Sequence, residues 1–185
     1  MSDKRTHICP VEHAGSLDLK IRRWVQNPHK ILSPYIEEGM TVMDFGCGPG
    51  FFTIDMAKLA GRSGRVMAVD LQRGMLEKLK KKISGTEFEE RITLHLCETD
   101  KIGLTELFDF ILAFYMIHEL PDPGGFFKEV VSLLTAKGRL LIVEPPFHVS
   151  KSAFEEMIRS ARNAGLFPVE RPKVAFSKSV LLKKE

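Results

Sequence analysis

From Met40 onward, short apolar runs alternate with stretches in which apolar positions return every three or four residues, a pattern that predicts strands and helices in succession. The runs Thr41 to Phe45, Arg65 to Val69, Arg91 to Leu96, Phe108 to Phe114 and Arg139 to Val143 are the predicted strands. Each is too apolar to leave one face in water, as expected of a parallel sheet covered on both sides. Helices are predicted over Phe51 to Ala60, Gly74 to Ile83, Gly124 to Leu134 and Lys151 to Ala164, with Gly165 as the stop of the last. Between Phe167 and Lys184 there is room for two more strands; Ser179 to Leu182 is the clearer one. Pro168 and Pro172 restrict the other to a sheet edge or a loop.

Ahead of the sheet, Leu17, Ile21, Trp24 and Val25 fall at helical spacing over Leu17 to Gln26, and Asn27-Pro28 reads as an N-cap followed by proline in the first helical position. Residues 1–39 are therefore expected to form an N-terminal helical cap on an α/β domain of residues 40–185. No repeat, low-complexity segment or long linker divides the chain further.

With 185 residues, 44% of them hydrophobic, the chain can bury one proper core. Its 27 Lys plus Arg against 24 Asp plus Glu leave a formal charge of +3, too slight to imply nucleic acid or an anionic membrane as partner. The basic run Lys78, Lys80, Lys81, Lys82 shares a helix with the apolar stripe Leu76, Leu79 and Ile83, and is expected on its outer face. No apolar run reaches the roughly 20 residues needed to span a bilayer, and the N-terminus has no apolar core of a secretory signal. Cys9, Cys47 and Cys97 are odd in number and scattered, which fits a reducing compartment. A cytoplasmic protein is expected, as monomer or homodimer.

The densest chemistry lies in Val42-Met43-Asp44-Phe45-Gly46-Cys47-Gly48-Pro49-Gly50, an apolar strand running through an acidic residue into a glycine-rich turn and then a helix. Gly46 and Gly48 allow a sharp turn and close approach to a ligand, and the helix start offers unpaired N–H groups. The dinucleotide fingerprint G-x-G-x-x-G is not met: residue 51 is Phe, and the third glycine, Gly50, comes one step early. The phosphate-loop pattern ending in G-K-S/T is absent as well. A nucleoside without phosphates fits better. Asp70, at the end of the next strand with Leu71 after it, can accept both hydroxyls of a ribose, or cap the following helix. Beside the glycine loop, the ribose reading is favoured.

These motifs together resemble the class I S-adenosylmethionine-dependent methyltransferases, and within them the broad group that includes quinone-biosynthesis enzymes, from Met40 to about Val143. The glycine loop matches the family's first motif, and Asp70 its ribose-binding acid. Glu98-Thr99 stands where the family usually has Asp-Ala beside the adenine. Phe108 to Phe114 matches its fourth strand, and His118-Glu119-Leu120-Pro121-Asp122-Pro123 the loop after it. Leu133 to Leu140 matches the helix-to-strand passage usually written L-x-P-G-G. The resemblance implies a Rossmann-like, doubly wound, mostly parallel sheet with an antiparallel last strand. It also implies S-adenosylmethionine as cofactor, with Asp44 near its amino group, Cys47 as a packing residue of the loop, and Ala113 contributing a backbone carbonyl.

Methyl transfer from a sulfonium needs chiefly an aligned acceptor lone pair, so a general base is optional. His118 is the best candidate base, since it follows the fourth strand on the side where open α/β sheets bind ligands; in this family that residue often supports the cofactor loop instead. Tyr115 and Glu119 are weaker candidates. The loop lacks the Asp/Asn-Pro-Pro-Tyr/Phe sequence that grips planar amides and exocyclic amines in relatives, which disfavours DNA bases and glutamine as acceptors. Glu144-Pro145-Pro146-Phe147 follows the fifth strand and reads as a stiff turn near the acceptor pocket. His7, Cys9 and His13 could together hold a soft metal or metalloid, but H-x-C-x-x-x-H is not a zinc pattern, and an exposed N-terminus holding no metal is expected instead. The function so predicted is methylation of a small-molecule acceptor; the rival reading is a non-catalytic, cofactor-binding regulatory module, and a dehydrogenase is opposed by the glycine spacing.

Overall fold

The computed structural model describes residues 25–185. Its order is α1 (Pro28–Leu32), β1 (Thr41–Phe45), α2 (Thr53–Leu59), β2 (Arg65–Asp70), α3 (Arg73–Ile83), β3 (Ile92–Leu96), β4 (Phe108–Phe114), a 3-10 turn (Ile117–Glu119), α4 (Pro123–Leu133), β5 (Leu134–Glu144), α5 (Lys151–Asn163), β6 (Leu166–Glu170) and β7 (Lys178–Lys184). The seven strands form one sheet in the order β3-β2-β1-β4-β5-β7-β6. The first five are parallel, and β7 runs antiparallel to both β5 and β6. This is the predicted doubly wound, mostly parallel sheet with an antiparallel last strand.

Local sequence sets the element ends. Asn27 accepts a hydrogen bond from the Lys30 N–H with Pro28 in the first turn, and Asp122-Pro123 repeats the device at α4, where Asp122 accepts from the Gly125 N–H. Ser150 caps α5 by accepting from Ala153. Gly165 follows that helix at φ +101°, a conformation that suits glycine, and its N–H donates to the Arg162 carbonyl.

Each face of the sheet carries its own core. Phe126, Phe127, Val130 and Leu133 of α4 join Phe154, Met157, Ile158 and Ala161 of α5 on one side. On the other, Leu32, Met56, Ala57, Leu76, Leu79 and Ile83 of the first three helices meet Val42, Phe110 and Leu141. Lys80, Lys81 and Lys82 lie exposed along α3, as its apolar stripe required.

Two expectations change, and one open alternative is decided. Arg91 to Leu96 was expected to be buried on both faces, yet β3 is an edge strand whose Thr93 is exposed and whose Leu96 is 40% exposed. Ile92 alone of its five residues is buried, so apolar content did not decide its burial. β5 starts at Leu134 directly after α4 rather than at Arg139, and its pairing with β4 jumps from Phe108↔Leu134 to Phe110↔Arg139. The loose residues between include Gly138, where a Cβ would lie 2.8 Å from the Phe108 carbonyl oxygen. Pro168 does belong to a strand, at the sheet edge beside an irregularity in the β6–β7 register, where its missing N–H is tolerated. Of the predicted N-terminal helix over Leu17 to Gln26 only the last two residues are described, and His7, Cys9 and His13 lie outside the described residues. Residues 27–36 pack on the sheet: the Tyr35 ring stacks on Phe110 at 5.9 Å, and Arg139 donates to the Tyr35 carbonyl.

Candidate cofactor and acceptor site

The chain reverses direction across the sheet between β1 and β4, and open α/β sheets bind ligands in the crevice beyond such a switch point. A cavity lies there. Asp44 and the Gly46–Pro49 loop line it from β1, Asp70, Leu71 and Gln72 from β2, Cys97, Glu98 and Thr99 from β3, and Phe114, Tyr115 and Met116 from β4. Glu119, Leu120 and Pro121 complete the rim.

The glycine loop is held from below. The N–H groups of Gly46 and Cys47 both donate to the Val69 carbonyl at the end of β2. Gly46, Gly48 and Gly50 all have positive φ, at +74°, +53° and +85°. Their surroundings differ. A Cβ on Gly46 would lie 3.1 Å from Met116, one on Gly50 would lie 2.4 Å from Leu79 Cδ1, and one on Gly48 would meet nothing within 4 Å. Gly48 therefore faces open cavity, whereas Gly50 lies off the lining and lets the loop close on α3.

Asp44 is buried, and one of its carboxylate oxygens accepts from the Thr53 hydroxyl at 2.6 Å. Asp70 accepts from the Gly48 N–H and the Gln72 N–H, both at 2.8 Å. It thus ties the glycine loop to the start of α3 and caps that turn, so the capping reading holds beside whatever ligand role it has. Burial pushes the Asp70 carboxyl above the usual carboxylate range, with the backbone N–H groups pulling the other way.

Both thiols of the lining are buried and free. Burial raises Cys47 well above the ordinary thiol value, with Asp44 and Asp70 adding to the effect, and takes Cys97 up to about 11. Both shifts disfavour the thiolate, which suits a packing role and not a nucleophilic one.

Ala113 is fully enclosed between β1 and β5, so the lining at this strand end is Phe114 and Tyr115 instead. Phe51, Phe52, Phe114 and Tyr115 form a chain of rings with centroids 4.3–4.9 Å apart. Tyr115 has φ +60°, unusual for a non-glycine residue, and its hydroxyl lies 2.6 Å from both Gln26 Nε2 and Ser177 Oγ.

His118 stands beside the cavity rim, flanked by the lining residues Met116 and Glu119, and its ring turns toward β5. Its Nδ1 is 2.5 Å from Glu144 Oε2, while Glu144 Oε1 accepts from the Ile117 N–H at 2.9 Å. The Glu144 side chain is wholly buried. That hydrogen bond raises the His118 pKa above its ordinary value against the opposing pull of burial. The sequence showed Glu144 only as the start of a proline turn; its side chain is instead the partner of the candidate base. An acidic residue ending an otherwise apolar strand was the available signal, the same signal that marked Asp70.

Comparison with known proteins agrees with this arrangement. The family described as "Methyltransferase domain" matches residues 36–175. A demethylmenaquinone methyltransferase of Lactobacillus johnsonii is 31% identical over 110 residues, covering 59% of this chain and 45% of the relative. A ubiquinone/menaquinone biosynthesis C-methyltransferase of Geobacter sulfurreducens is 26% identical over 149 residues, covering 80% and 57%. The chain thus spans about half the length of the curated relatives it matches. A crystal structure of an S-adenosylmethionine-dependent methyltransferase from Aquifex aeolicus superposes with a TM-score of 0.85 at 26% identity, covering 95% of this chain and 98% of that one. With the family match spanning residues 36–175 and the superposition covering nearly all of both chains, the lineage is shown: the chain belongs to the methyltransferase domain family, in its S-adenosylmethionine-dependent class.

Proposed function

We propose that this protein is an enzyme that transfers the methyl group of S-adenosylmethionine to a small-molecule acceptor. The observation that carries the reading is the cradle at Gly48: an open space beside a backbone loop, with the carboxylates of Asp44 and Asp70 on either side. The residues fit the cofactor's parts. Asp44 and the Gly46–Gly48 backbone suit the amino-acid tail, Asp70 retains lone pairs for ribose hydroxyls, and Leu71 with Cys97, Glu98 and Thr99 offers an apolar bed with a polar edge for adenine. Gly50 and Ala113 support this site from behind, by packing. The cofactor supplies an activated methyl group on a positively charged sulfur; the chain's part is to hold it, exclude water and align an acceptor.

The ring-lined wall of Phe51, Phe52, Phe114 and Tyr115 supports a flat, largely apolar acceptor. The two relatives, a demethylmenaquinone methyltransferase and a ubiquinone/menaquinone biosynthesis C-methyltransferase, favour the same class. His118 is the proposed proton acceptor. The reading includes a cytoplasmic enzyme working without nucleic acid or membrane partner, supported by its near-balanced charge. Among the described residues no helix is long and apolar enough to cross a membrane.

The test is turnover: the protein is incubated with methyl-labelled cofactor and a panel of aromatic hydroxy compounds. Transfer of label with release of S-adenosylhomocysteine is the expected result. Binding of cofactor without transfer to any acceptor would favour the regulatory module.

A further inference from the structure

The buried Glu144 lies outside the cavity lining, yet both of its carboxylate oxygens are engaged. It is wholly enclosed at the end of β5, with one oxygen fixed by the Ile117 N–H and the other on His118 Nδ1. A buried carboxylate is costly unless paired, and among the described residues its one charged partner of opposite sign in hydrogen-bond contact would be the imidazolium form of His118. The bond to Nδ1 also fixes the ring, so that Nε2 is the nitrogen left for a proton from elsewhere. Other charged or titratable groups around the ring are Glu119 on its own turn, His148 after β5 with ring centroids 6.0 Å apart, and Lys178 on β7. The Lys178 ammonium is spent on the Pro146 and Val149 carbonyls.

We infer that Glu144 is a positioning residue that makes His118 the proton acceptor for methyl transfer, and that the acceptor is therefore a protic one, carrying an O–H or acidic C–H at the atom methylated. This rests on the methyltransferase reading above. The charges balance in a way that gives Glu144 its purpose. The acceptor loses its proton to His118 Nε2 and keeps that electron pair, which forms the bond to the methyl carbon. As the methyl–sulfur bond breaks, its pair returns to sulfur, leaving a neutral thioether. The positive charge that was on sulfur is then on His118, directly against the Glu144 carboxylate. An acceptor with no proton to lose, such as a thioether or a pyridine, would make no use of the pair.

The experiment combines two readouts on the full chain, wild type and Glu144→Gln, with His118→Asn as reference. Gln retains an oxygen for the Ile117 N–H but cannot neutralise an imidazolium. NMR titration of the His118 ring, without cofactor, is expected to show its pKa falling by about one unit or more in Glu144→Gln. With a dihydroxynaphthalene and a hydroxybenzoate as protic probes, kcat is expected to drop more than about tenfold in both variants with KM little changed. The wild-type rate should fall as pH drops through the raised His118 pKa, and that limb should move to lower pH in Glu144→Gln. S-adenosylhomocysteine affinity should stay at wild-type level in both variants. An unmoved His118 titration, an unmoved acid limb, or turnover of dimethyl sulfide or pyridine in preference to every protic probe overturns the inference. Loss of S-adenosylhomocysteine binding by the wild type would instead sink the methyltransferase reading itself.

Discussion

At Gly48 a side chain would enter open space, while at Gly50, two residues on, a Cβ would fall 2.4 Å from Leu79 Cδ1. Both residues lie at positive φ, so alanine at either costs about 1–2 kcal/mol of backbone strain. Beyond that shared cost the two should separate. Gly48→Ala puts a methyl group where the cofactor is proposed to lie, and is expected to weaken S-adenosylhomocysteine binding by about tenfold or more, equivalent to about 1.4 kcal/mol. Gly50→Ala overpacks the loop against α3 and is expected to cost about 1–3 kcal/mol of further stability, with the affinity of the folded protein nearly unchanged. Calorimetry and urea unfolding of the pair check this. Equal loss of affinity in both would mean that the open space at Gly48 is not the ligand's. The sequence identified all three glycines as one ligand-binding turn; only packing partners distant in sequence, Met116 and Leu79, distinguish their roles.

Among the elements, those with a local signal at both ends were the most legible. Asn27-Pro28 and Gly165 marked helix ends because each solves a hydrogen-bond problem within a few residues of itself. What escaped was set by tertiary position: β3 reads as apolar but lies at an edge, and β5 begins at Leu134, five residues before its predicted start at Arg139. The same holds for Tyr115. Nothing in Ala113-Phe114-Tyr115-Met116 announces that its hydroxyl will join Gln26, 89 positions away, to Ser177, 62 positions away. That junction ties the segment before α1 and the segment before β7 to the cavity wall. Tyr115→Phe is expected to cost about 1–3 kcal/mol and to raise amide hydrogen exchange around residues 25–27 and 175–178 while leaving the β1–β2 strands protected. Unchanged exchange in both segments would show that the hydroxyl holds neither.

For the molecule as a whole, the alternation of apolar runs and amphipathic stretches was sufficient for the sheet class, because burying both faces of a parallel sheet leaves few other patterns. The site followed from the switch point between β1 and β4, which brings residues from four strand ends to one cavity. The acceptor side was less legible, because His118 and Glu144 meet only through the β4–β5 pairing. The central claim is that this crevice holds a nucleoside bearing an amino-acid tail and not a dinucleotide. Calorimetric titration of the purified protein with S-adenosylhomocysteine, with NADH as the control, tests it most directly. Saturable one-to-one binding of the former alone is the predicted result; binding of NADH, or of neither ligand, would contradict the account.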